Sequence, residues 1–122
     1  MYLNSELKDI MNAVNELAVK LQNSELYSSY LSLKDKVLQD PELRYNITKF
    51  RRVQFEYETK RLRHIEPAFT EEQYVSKLYS DLMLNQDIRA FFEAERALLY
   101  IVKGLNENVL NVLKMDISFL NS

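Results

Sequence analysis

Three groups of side chains in this 122-residue chain could do chemistry: a carboxylate set in an apolar register, a lone histidine, and a row of lysines and arginines. The carboxylate is Glu95. It falls in a register that runs Ile88, Phe91, Glu95, Leu98, Val102, Leu105, Val109, Val112, with Phe92 beside it. A leucine would suit that position. A carboxylate buried there must be paired or protonated, because desolvation penalises its charged form. Glu95 therefore reads either as a catalytic or ligand-binding acid, or as half of an interhelical pair with Arg, Lys or a Tyr hydroxyl that fixes register. The pair is the favoured reading, since no second catalytic group accompanies it.

His64 has no Cys, His or carboxylate near it at ligand spacing on one helix face. Lys60 and Arg61 occupy the positions where the Glu-x-x-His pattern of di-metal bundles would need its glutamate. His64 reads as a solvated helix end, where a cation also suits the dipole. Cys 0 removes disulfides, thiolate metal sites, iron–sulfur clusters and cysteine nucleophiles together. Gly 1 leaves no phosphate-cradling loop. A Ser–His–Asp arrangement would lack a credible base. Paired-carboxylate catalysis stays open because Glu is common, but nothing points to it. No catalytic residue, cofactor or metal is expected.

The basic row comprises Lys49, Arg51, Arg52, Lys60, Arg61 and Arg63. At about 100° per residue, Lys49, Arg52, Lys60 and Arg63 gather on the side away from Leu43, Ile47 and Phe50. Glu56 interrupts that stripe, and Glu58 offsets Arg51. A solvated helix face is favoured over a nucleic-acid surface. The overall balance agrees, with Lys+Arg 16 against Asp+Glu 18 and a net charge of -2. Tyr45 and Phe55 lie off the apolar face. Phe55, which has no polar tip, suits a protein partner better.

The elements that must position these groups are helices. Gly 1 and Pro 2 are too few for the turns of a β-rich fold. Five segments carry helical periodicity, and none alternates with period two. The first, Leu3 to Leu21, steps by four, three, four, three, four, a heptad seam that Asn4 or Ser5 could cap. Ser24 caps the second, and Asp40-Pro41 both ends it and starts the third, which runs to about Arg63. Residues 64–69 form a loop. Thr70-Glu71-Glu72-Gln73 has the capping-box pattern for the fourth, and Asn85 caps the fifth. Gly104 interrupts the fifth; the unbroken register through it favours close helix approach over a kink.

The expected architecture is all-α, about five helices in an antiparallel, bundle-like arrangement forming one domain over residues 1–122. A fifth helix from Gln86 to Leu113 would be about 42 Å long, more than the ~30 Å width of a monomer this size. Its overhang stays apolar to Leu113 and beyond, and another copy of the chain is the simplest cover. The expected assembly is therefore a homodimer with Ile88, Phe91, Phe92, Glu95, Leu98, Val102, Leu105 and Val109 on the packing or dimer face. The longest apolar run, Ala97 to Val102, is far short of the roughly 20 residues of a membrane span. With charged residues near the N-terminus and no cysteine, a cytoplasmic protein is expected.

Leu17 and Leu21, Ser24-Glu25 before Tyr27, Asp40, Phe50-x-x-Val53-Gln54, and Phe92-Glu93-Ala94-Glu95 followed by Leu105 occur here in one order and spacing. In this the chain resembles the YlbF/YmcA/YheA family of small helical proteins of Gram-positive bacteria, over about residues 10 to 113. The resemblance implies antiparallel helices that dimerise, and regulation by protein–protein contact rather than catalysis. It implies roles of the kind its members have in competence, sporulation, biofilm formation and ribonuclease Y-dependent messenger-RNA processing. The cysteine-free chain is closer to the short YheA-like branch, so the resemblance carries over no iron–sulfur cluster and no catalytic residue. The alternative function is nucleic-acid binding through Lys49, Arg52, Lys60 and Arg63.

Overall fold

The chain breaks into helices where its caps put them. In the computed structural model, which describes residues 2–114 with side chains from residue 4 onward, the helices are α1 (Tyr2–Gln22), α2 (Glu25–Leu38), α3 (Pro41–Leu62), α4 (Phe69–Met83) and α5 (Gln86–Leu113). No strand occurs among the described residues. Ser24 Oγ accepts the Tyr27 N–H at 3.2 Å. Asp40 accepts from the N–H groups of Glu42 and Leu43 at 3.0 and 3.3 Å. Asn85 does the same for Asp87 and Ile88 at 2.9 and 3.0 Å. Each satisfies backbone donors that the first helical turn leaves orphaned.

Two expected caps are not used. α1 already begins at Tyr2, which leaves Asn4 and Ser5 inside the helix. α4 begins at Phe69 on the extended residue Ala68, so Thr70 is helical and no side chain caps that end. Glu71 lies in the first turn, as it would behind a Thr70 cap, and accepts from Lys60 Nζ at 2.7 Å on both oxygens. That pair ties the end of α3 to the start of α4, a compensation no local cap pattern foretells. The side chain of Leu3 and the chain past residue 114 lie outside the described residues.

His64 follows the α3 cap in a left-handed conformation with φ 58°. Its N–H donates to Arg61 O at 3.1 Å, and the N–H of Ile65 donates to Lys60 O at 2.9 Å. This is the Schellman closure that usually carries glycine. The exposed imidazole thus marks a helix end and bears a backbone conformation that strains a residue with a Cβ. His64→Gly is expected to stabilise the protein by about 0.5–1 kcal/mol, a rise of about 4 °C in melting temperature. An unchanged or lowered melting temperature would show that the imidazole makes a compensating contact.

The core sits among α2, α3, α4 and the first half of α5. Val37, Ile47, Phe50, Leu82, Ile88, Phe91 and Phe92 are buried, with Tyr30, Leu33, Leu43, Val75 and Leu78 packed around them. Phe91 is the pivot: its ring centroid lies 5.8 Å from those of Tyr30 and Phe92. α2 runs antiparallel to α5, since Tyr30 meets Phe91 while Lys36, further along α2, reaches Asp87 at 3.3 Å. Among the residues whose side chains are described, none of the buried ones comes from α1.

Gly104 corrects the expectation of close approach. α5 continues through it as one helix, and a Cβ built there would meet nothing within 4 Å. The reason is that α5 outruns its neighbours, which pack on its first half.

Candidate interaction surfaces

The α5 register divides into two parts. Ile88, Phe91 and Phe92 are core residues and are closed to any partner. Glu95, Leu98 and Leu105 are half-buried. Val102 and Val109 are 46% and 56% exposed, and Val112 and Leu113 are more open still. The same seam therefore builds the core over its first half and presents an open apolar face over its second.

Glu95 stands at the boundary between those halves. Its expected burial in mid-stripe is corrected: the side chain is 30% exposed, because the helices packed on α5 give out at this level. Its partner is Arg51 of α3, whose Nη2 donates to both carboxylate oxygens at 3.0 and 2.9 Å. The guanidinium also lies over the rings of Phe91 and Phe92, 5.6 and 5.4 Å from their centroids. Charge and ring faces hold it together. Alongside, Arg96 Nη2 donates to Tyr79 Oη at 3.4 Å, and a cleft opens between Gln54, Phe92 and Leu99. Glu93, two residues earlier, turns to another groove with Tyr100 and Ile101. The two glutamates do not form a carboxylate pair, since residues two apart do not share a helix face.

Arg51 was expected to be offset by Glu58. Glu58 instead approaches Arg61 at 3.7 Å, one turn on, which leaves Arg51 to α5. A partner 44 positions away in the chain carries no local signal.

The basic face of α3 is also partly spent within the fold. Lys60 is held by Glu71, and Lys49 Nζ lies 5.8 Å above the Tyr74 ring. Both are half-buried against α4, so they do not point away from the packed surface as helix geometry alone suggests. Arg52 and Arg63 remain exposed. Phe55 is 71% exposed, and Leu62, seven residues on along the same strip, is 81% exposed. The seven-residue spacing was the available signal for Leu62, and the sequence reading missed it.

The geometry is that of an all-α protein with two exposed apolar strips, one on α3 and one on the outer half of α5. Residues 10–113 match the family described as control of competence regulator ComK, YlbF/YmcA, and the chain belongs to that family. It is 29% identical over 101 residues to a UPF0342 protein of Caldicellulosiruptor bescii, covering 83% of this chain and 85% of that one. A UPF0342 protein of Caldicellulosiruptor saccharolyticus is 26% identical over 101 residues, covering 83% and 84%. No solved structure matches the chain. Among the described residues, no helix is long and apolar enough to cross a membrane.

Proposed function

We propose that the protein is a non-catalytic regulatory adaptor of the cytoplasm, acting as a homodimer in the control of competence or a related process. The observation that supports this reading is the apolar seam left open along α5 from Val102 to Leu113. An exposed face at heptad spacing is stable in water only when another helix covers it. The strip of Phe55 and Leu62 on α3, remote from that seam in the sequence, is the surface for a second protein.

Sedimentation equilibrium should give about twice the chain mass of 14.5 kDa. Val102→Asp with Val109→Asp should give a monomer of unchanged helicity, because neither side chain belongs to the core. A wild-type monomer at micromolar concentration would overturn the dimer. For the adaptor surface, Phe55→Asp should abolish capture of a partner that the wild type retains. Identical captured sets would remove Phe55 from the interface. The alternative, RNA binding through Lys49, Arg52, Lys60 and Arg63, requires affinity that falls steeply with salt. With Lys49 and Lys60 occupied by Tyr74 and Glu71, weak, salt-insensitive binding is expected.

A further inference from the structure

The outward side of α3 carries a heptad row of its own. Tyr45, Thr48, Arg52, Phe55, Thr59 and Leu62 follow one another by three, four, three, four and three residues, which sets them on one line along the helix. The row faces away from everything that packs on α3. Ile47 and Phe50 enter the core, Arg51 reaches α5, and Lys49, Glu56 and Lys60 lie toward α4. Tyr45 is 67% exposed, as open as Phe55 and Leu62, and only Thr59 in the row is half-buried. From Tyr45 to Leu62 the row is about 26 Å long, enough to seat a whole helix.

The charges of this face have one sign. Arg52 lies within the row, and Arg44 and Arg63 stand beside its two ends. All three are exposed, and none takes part in an ion pair among the described residues. The acids nearest the middle of the row are engaged elsewhere. Glu56 lines the cleft with Tyr57 and Tyr74, and Glu58 approaches Arg61.

We infer that this face of α3 receives one helix of another protein, apolar along its seam and acidic where it meets Arg44, Arg52 and Arg63. The inference rests on the adaptor reading and names the partner chemistry that reading leaves open. An arginine inside a heptad row is costly to cover unless a carboxylate meets it, so Arg52 selects an acid in the partner's seam and sets its register. The two end arginines favour acids on the partner's flanks. A second copy of the same face fits poorly, because arginine meets arginine in either orientation: each against itself when parallel, Arg44 against Arg63 when antiparallel. Nucleic acid also fits poorly. These three arginines are spread over about 28 Å, and Lys49 and Lys60 are turned to α4. Leu62, the most open apolar side chain of the row, has no face on which a base could stack.

The test titrates the full chain with three synthetic probes and reads fluorescence anisotropy. The first is a helical peptide of about three heptads, with leucine along its seam and glutamate once within it and on its flanks. The second has lysine for every glutamate, and the third is a single-stranded RNA of matching length. The acidic peptide should bind at least about tenfold more tightly than the basic one, and Arg52→Glu or Phe55→Asp should each weaken it at least about tenfold. Arg52→Glu combined with Arg63→Glu should reverse the preference toward the basic peptide, which no loss of fold can imitate. Absent or equal binding of the two peptides, or tighter binding of the RNA, would overturn the inference. So would acidic-peptide binding that survives Arg52→Glu and Phe55→Asp, since the peptide would then sit on another surface. Each of these results leaves the adaptor reading standing, because that reading fails on a separate observation, unchanged partner capture by Phe55→Asp.

Discussion

Phe91→Ala is expected to destabilise the protein by about 3–5 kcal/mol, measured by urea unfolding. The side chain is 1% exposed, and its ring packs on Tyr30 from α2, on Phe92, and under the Arg51 guanidinium from α3. Removing it loses the transfer energy of the ring and leaves a cavity that three helices cannot jointly collapse. Small domains hold only about 5–15 kcal/mol in all, so the variant should sit near its unfolding threshold at room temperature. Val112→Ala, more than five turns past Phe92 on a 76% exposed side chain, should change monomer stability by less than about 0.5 kcal/mol. A cost below about 1.5 kcal/mol for Phe91→Ala would mean that the core packs loosely around α5.

These two residues belong to one register, and that is where sequence reading stopped. From Ile88 to Val112 the pattern is uniform, so nothing local shows that the first half is core and the second half is open. The change depends on where α2, α3 and α4 end in space. Local chemistry was legible: Ser24, Asp40 and Asn85 cap because each acts on backbone groups two or three residues away. Thr70 does not cap because the helix starts on the extended Ala68, two residues before the expected cap, and the contact at that end is the Lys60–Glu71 pair between two helices. Gly104 was assigned a close neighbour on register alone, yet register says nothing of how far the neighbouring helices extend. The face of Lys49 and Lys60 was misplaced for a similar reason, since α3 packs on two sides and its hydrophobic stripe reveals only one. The need for a partner at Glu95 was readable; its identity as Arg51 was not.

Glu95→Ala should cost about 1–2 kcal/mol, less than the 3–5 kcal/mol of breaking a fully buried pair. Both side chains keep water contact, with Arg51 44% and Glu95 30% exposed, so the guanidinium left behind is not stranded. It also keeps the faces of Phe91 and Phe92. Glu95→Gln retains one acceptor and the side-chain shape, and should cost about half as much as the alanine variant. Arg51→Lys should cost less than Glu95→Ala, because an ammonium can still meet both oxygens, as Lys60 meets Glu71, and loses only the flat stacking on Phe91 and Phe92. A double-mutant cycle of Arg51→Met with Glu95→Ala isolates the pair, with an expected coupling of about 1 kcal/mol. A coupling near zero would show that the two groups are independently solvated and that Phe91 and Phe92 alone set the register of α5 on α3. A coupling of the expected size in the core-bearing half, persisting in the Val102→Asp, Val109→Asp monomer, would show that this pair fixes the fold of a single chain. The open seam beyond it would then be left to the contact between copies.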